Sequence, residues 1–217
     1  MAAMIEPTQL ALYVAAAFVL AVTPGPGIFY VAARTLAGGR AEGVASSFGT
    51  GLGGMVHVLA GSLGVSAIVL ASAELFAALK FLGAAYLVWI GVRTVLAARR
   101  EALVGLRGAA PAVGVRRAFR EGVLVEALNP KTAAFFLAFV PQFVDPTQGS
   151  VAVQFVVLGF VSVVLNTLAD VVVAVGASRI RDGAAARPAL VRRLREASGA
   201  AMVALGLGLA FARRPAG

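Results

Sequence analysis

The stretch GVLVEALNPKTAAFFLAFVPQFV, residues 122–144, constrains this chain more than any other part of it. It is long and apolar enough to cross a bilayer, since about 20 helical residues at ~1.5 Å each cover a hydrocarbon core of ~30 Å. Its interior nevertheless carries Glu126, Asn129, Pro130 and Lys131. Proline has no amide donor and pushes the residue before it out of the α region, so the sequence predicts a helix interrupted at Asn129–Pro130. The backbone groups freed there, and two ionisable side chains, cannot face lipid; they must face protein or a wet cavity. The structural alternative is a kinked helix whose Lys131 snorkels to the surface. The depth of Lys131, about 13 Å of helix beyond Gly122, speaks against it.

Composition sets the class. Of 217 residues, 60% are hydrophobic and 13% charged, with a mean hydropathy of +0.91. Soluble domains carry about 25% charged residues, so the chain is expected to be an all-α integral membrane protein. The absence of cysteine excludes a disulfide framework and cysteine-based metal or redox sites, and no cofactor is expected. No Lys or Arg precedes Arg34, so the basic start of a signal peptide is missing. The net charge of +9 is not gathered into an aromatic-studded basic patch. Nucleic acid is therefore not an expected partner, and the bilayer is.

Six apolar segments, at about 10–37, 43–72, 75–98, 122–144, 151–178 and 198–211, predict six membrane-spanning helices in one transporter domain covering residues 1–217. The first is interrupted by Thr23-Pro24-Gly25-Pro26-Gly27, which predicts two half-helices. In the second, Gly49, Gly53, His57 and Gly61 recur every four residues and share a face that another helix can approach closely. Tyr86 and Trp89 in the third suit a membrane interface. Asp145 to Gly149 predicts a turn, and the fifth segment aligns Ser162, Asn166 and Asp170 on one face. Residues 99–121 and 179–195 predict basic loops.

Fifteen of the nineteen Lys and Arg residues fall in the loops between spans one and two, three and four, and five and six. Lys80, Arg213 and Arg214 fall on the other side, and Lys131 is intramembrane. The positive-inside rule then puts those three loops in the cytoplasm and both termini outside. Each half of the chain, about 8–98 and 122–213, opens with a proline-interrupted span followed by two more. Three spans per half would insert in opposite senses, giving a 3+3 inverted repeat of the kind secondary transporters use to build a midplane site. The small-residue faces allow a homodimer.

Several residues could carry chemistry. Gly49-Thr50-Gly51-Leu52-Gly53-Gly54 matches a dinucleotide-binding pattern, but it lies inside an apolar span without a preceding strand, so helix packing explains it better. GxSxG, HExxH and Walker A sequences are missing. A lone His57 cannot build a zinc site and is expected to hydrogen-bond between helices. Asp170 lies some twenty residues into span five, where a carboxylate costs several kcal/mol unless paired or wet. It is expected to contact substrate or a proton, with Asn166 beside it; the alternative is a buried pair with Lys131 that locks the helices. Glu126 is a second proton-coupling candidate, nearer the cytoplasmic edge. Half-helices starting near Pro26 and Pro130 point unpaired N–H groups and partial positive charge inward, which suits a carboxylate. Pro24, Gly25, Pro26, Asn129, Pro130, Lys131, Asn166 and Asp170 are thus the expected substrate-binding residues. An amino acid with its carboxylate at the breaks and its ammonium near Asp170 would satisfy both demands.

Jointly, TPGPG at 23–27, the glycine-rich span with His57, LKFLGAAYL at 79–87, LNPK at 128–131, FVPQF at 139–143 and Asp170 resemble the lysine exporter family of amino-acid efflux permeases (LysE/RhtB), above all its homoserine/threonine branch. The resemblance covers most of the chain and implies export of amino acids across a bacterial inner membrane, driven by the proton motive force. Members often carry Asp or Asn after PGP, where this chain has Gly27. The reading is a six-helix secondary transporter exporting a small neutral amino acid. The rivals are a passive channel, which would favour a continuous polar lining, and an intramembrane enzyme, which would need a nucleophile–base pair or a metal ligand set.

Overall fold

A computed structural model describes residues 6–71 and 112–180 continuously, together with single helical positions between 74 and 96 and between 193 and 211. Much of the third and sixth expected spans, and the loops at 101–111 and 181–192, lie outside the described residues. All regular structure among the described residues is helical.

Helix α1 (Pro7–Val22) starts with proline at its first position and the Glu6 carboxylate accepting from the Thr8 amide. It stops at Thr23, whose backbone is extended and whose hydroxyl donates back to Val19 O at 2.5 Å. Helix α2 (Pro26–Gly38) begins after an extended Gly25, and Pro26 at its first position gives up an amide that would have lacked a partner anyway. The axes of α1 and α2 bend by 45° at the break. Gly39, with φ of 83°, turns the chain directly into the 32-residue α3 (Arg40–Ala71). That φ is left-handed and suits glycine.

The second broken span repeats the device. Helix α4 (Val115–Ala127) ends at Leu128, and Asn129 is extended with φ of −75° and ψ of 111°. Helix α5 (Pro130–Ala134) restarts with proline first, and the bend is 41°. Its continuation is wound loosely, then tightly: a π turn at Phe135–Phe139, then a 3₁₀ turn at Val140–Phe143. Pro141 cannot donate to the turn before it, which breaks the α pattern at this point. The Val140 amide donates to Phe135 O, closing the wide turn. Helix α4 begins within what the sequence suggested was basic loop, because Val115 to Glu121 continue the helix outward as an amphipathic stretch.

The turn after α5 forms as expected, with the Asp145 carboxylate accepting from Thr147 N at 2.8 Å and the Gln154 amide group bonding both Asp145 N and O. Helix α6 (Val151–Ile180) follows. Residues Val151–Arg179 can cross a membrane unaided by length and composition, and each bent pair makes one further candidate crossing.

The glycine face of α3 does what its spacing predicts. A Cβ on Gly49 would lie 2.2 Å from Phe119 O and one on Gly53 2.4 Å from Val123 O, while a Cβ on Gly122 of α4 would lie 2.8 Å from Ser46 O. Helices α3 and α4 therefore touch backbone to backbone. On the other side Tyr13 of α1 packs with Phe135, Phe136, Phe155, Leu158 and Val58 in the main apolar core. Ala84 and Ala210 pack with Ala134, Ala138 and Phe139, so positions of the third and sixth segments lean on the second broken span. Phe48, Leu52, Leu59 and Leu63 of α3 and Leu168 and Val172 of α6 point outward, as side chains facing hydrocarbon would.

Candidate functional site

The two breaks meet, and Lys131 joins them. Its side chain is 3% exposed, so it does not snorkel. Its Nζ donates to Thr23 O at 2.9 Å and Leu20 O at 3.2 Å. Both carbonyls belong to the end of α1, where the helix dipole is negative, and Leu20 O accepts from the Thr23 amide as well. Lys131 stands on the first turn of α5, an unfavourable place for a cation, and escapes by reaching across to the opposite pole of the other broken helix. Gly25 makes room for it, since a Cβ there would meet Lys131 Cε and Nζ at 3.2 Å. Compensation for Lys131 thus comes from α1, and the alternative of a buried pair is not formed, since no ion pair joins Lys131 to Asp170.

Glu126 is 2% exposed, so it is enclosed by protein at the site and does not reach water. Its Oε1 accepts from the Thr132 hydroxyl at 2.5 Å, and its Oε2 from Asn129 Nδ2 at 2.9 Å. Asn129 Oδ1 accepts from Lys131 N at 3.0 Å, capping α5. The carboxylate lies against Gly27, where a Cβ would come within 2.7 Å of Oε2. The position after PGP is therefore empty of side chain here, and Glu126 fills the space. Behind it His57 Nε2 meets Glu126 O at 2.8 Å and its ring stacks on Phe136, the interhelical role expected of it.

Asp170 is fully buried on α6, apart from the breaks. Its Oδ2 lies 2.7 Å from the Thr50 hydroxyl of α3, and its Oδ1 has no partner. Ser162, about two turns nearer the start of α6, shares a short bond of 2.5 Å with the Tyr13 hydroxyl, which also donates to Leu158 O. Asn166 lies between them, half-buried, with its amide bonded to no protein group among the described residues.

A cavity connects these parts. Thr50, Glu126, Thr132, Ser162 and Asn166 give it polar walls, and Ala17, Leu20, Ala21, Phe135, Phe136 and Val163 give it apolar ones. Its volume of 20 Å³ is room for about one water and far too little for an amino acid. The conformation is contracted around the site. Pro24, Gly25 and Pro26 form the first break and Pro130 the start of the second, so the structure gathers both breaks, Glu126 and Lys131 into one cluster and leaves Asp170 linked to it through Thr50. Sequence reasoning missed Thr50, Thr132 and Tyr13. The signal for Thr50 was its place in a run of small polar residues, Ser46, Ser47 and Thr50, buried on a glycine-lined helix.

Broken helices whose ionisable side chains are buried where the breaks meet define a membrane transporter of the helical class. The chain belongs to the LysE type translocator family, which matches residues 18–213. It is accordingly a membrane-embedded translocator and not an enzyme. It is similar to the homoserine/homoserine lactone efflux protein of Salmonella typhimurium, 31% identical over 206 residues, 93% of this chain and 95% of that one. An uncharacterized membrane protein of Pseudomonas aeruginosa is 35% identical over 158 residues, 72% and 73% of the two chains. The leucine efflux protein of an Enterobacter species is 28% identical over 149 residues, 67% and 68% of the two. No solved structure matches the chain.

Proposed function

We propose that this protein exports small neutral amino acids, homoserine- or threonine-like, from the cytoplasm across the bacterial inner membrane, driven by inward movement of protons. The observation that carries the reading is the meeting of the two proline-broken spans at Lys131, with Glu126 and a small, partly polar cavity beside them. Broken helices are tolerated at membrane depth where they line a substrate path, and their half-helix ends supply charge for a zwitterion. The substrate carboxylate goes to the breaks, near Pro24, Gly25, Pro26, Asn129, Pro130 and Lys131, and its ammonium to Asn166 and Asp170. Asp170 and Glu126 are the proton-coupling carboxylates. The chain as a whole makes six spans in a 3+3 inverted repeat, with both termini periplasmic and the basic loops cytoplasmic. The names of two relatives, for homoserine and for leucine efflux, support an amino acid as cargo.

A passive channel needs an open polar path, and a cavity with room for about one water argues for alternating access instead. Counterflow in proteoliposomes tests the cargo. Labelled homoserine, threonine or leucine should enter faster when the same amino acid is loaded inside. A panel of neutral amino acids with no such acceleration would refute the proposal.

A further inference from the structure

We infer that, of the two carboxylates proposed to couple protons, Asp170 is the one that holds the proton in this conformation, and that the Thr50 hydroxyl is the positioning group that keeps it there. The inference follows from counting hydrogens. Thr50 Oγ1 lies 2.8 Å from Ser47 O and 2.7 Å from Asp170 Oδ2, but a hydroxyl has a single proton to donate. A main-chain carbonyl can only accept, so a Thr50 proton directed to Ser47 O obliges Thr50 to accept from Asp170, which must then be a carboxylic acid. Asp170 Oδ1 has no donor at all, although both oxygens of an ionised buried carboxylate demand one.

Glu126 is the contrast. Asn129 Nδ2 can only donate, and the Thr132 hydroxyl has no other group among the described residues to give its proton to, so each Glu126 oxygen has a donor available. That is the pattern of an ionised group. Charge agrees with the hydrogen bonds. The groups that act on Asp170 are Glu126 of α4 and Lys131 of α5. With Lys131 an ammonium, Glu126 a carboxylate and Asp170 protonated, the buried cluster is neutral, whereas ionising Asp170 would leave an uncompensated charge in the membrane interior. Other titratable groups on the helices around α6 are engaged elsewhere. Tyr13 of α1 bonds Ser162 and Leu158 O, Arg34 of α2 lies over the Tyr30 ring, and Glu42 of α3 accepts from the Val113 and Gly114 amides through Oε1, with its Oε2 unpartnered.

Release of the proton needs no large movement. As it leaves Asp170 Oδ2, the Thr50 O–H rotates from Ser47 O to the new carboxylate. An ammonium arriving beside Asn166 restores neutrality, so proton and ammonium occupy Asp170 in alternation. That role in transport rests on the export reading above; the place of the proton does not.

Infrared spectroscopy of the full-length protein in lipid at neutral pH tests it without any transport assay. A protonated carboxyl has a carbonyl stretch well separated from carboxylate bands. We expect one such band that moves when the protein is made with ¹³C-carboxyl aspartate and stays when glutamate is labelled instead. It should rise in frequency in Thr50→Val, which removes the acceptor, and return in Thr50→Ser. A band that follows the glutamate label alone, or no protonated band under either label, would overturn the assignment, and a band unmoved in Thr50→Val would remove Thr50 from it. Because the labels leave the wild-type chain intact, the result does not depend on a variant folding.

Discussion

Lys131 is held by two carbonyls of a neighbouring helix end and is balanced by Glu126, so its removal should be felt first as lost stability. Stripping one partner from a buried charged group costs about 3–5 kcal/mol. Lys131→Met is therefore expected to lower the amount of folded protein in the membrane sharply, measured by gel filtration after detergent extraction and by thermal melting. Adding Glu126→Gln should recover much of the loss, because it removes the charge left alone. Adding Asp170→Asn should not, because no bond joins Asp170 to Lys131. Recovery by Asp170→Asn and none by Glu126→Gln would reverse the pairing described here. These three residues were legible in the sequence because a charge inside an apolar run is costly and must have a purpose. Their partners were not. Which carbonyls an ammonium reaches is decided by how two distant breaks pack, and the burial of Glu126 depends on Gly27, Asn129 and Thr132 closing around it.

At the scale of elements, the prolines and glycines carried the information. Pro26 and Pro130 each open a half-helix, and the Gly49–Gly53 face brings α3 against α4 at backbone distance. The dinucleotide-like pattern resolves into this packing. Gly49→Ala should cost about 1–3 kcal/mol, since the new methyl meets Phe119 O, a backbone atom that cannot swing aside. Gly64→Ala on the same helix meets nothing and should melt within about 0.5 kcal/mol of wild type or slightly above it. Equal melting of the two variants would mean that the helices do not touch as described. Pro130→Ala restores an amide and relaxes the restriction on Asn129, so it should impair export while folded protein stays detectable. The π turn after Pro130 left no periodic trace, because its cause, a proline one turn further on, reads in sequence as a second kink.

For the whole molecule, six spans, opposed halves and outward termini remain the architecture proposed, and the charge asymmetry gives its sharpest check. Cysteine introduced at Gly217 should react with an impermeant thiol reagent added to intact cells, and cysteine in place of Arg107 should react only after the membrane is opened. The opposite pattern would invert the topology and place the basic loops outside. The central claim is that the buried cluster couples amino-acid movement to protons. It is tested most directly by imposing a pH gradient on proteoliposomes holding the full chain and following a labelled amino acid identified by counterflow. Accumulation above the equilibrium level is expected, with collapse on adding a protonophore and loss of accumulation in Asp170→Asn at equal amounts of folded protein. Simple equilibration regardless of the gradient, or accumulation by Asp170→Asn that matches the wild type, would contradict it.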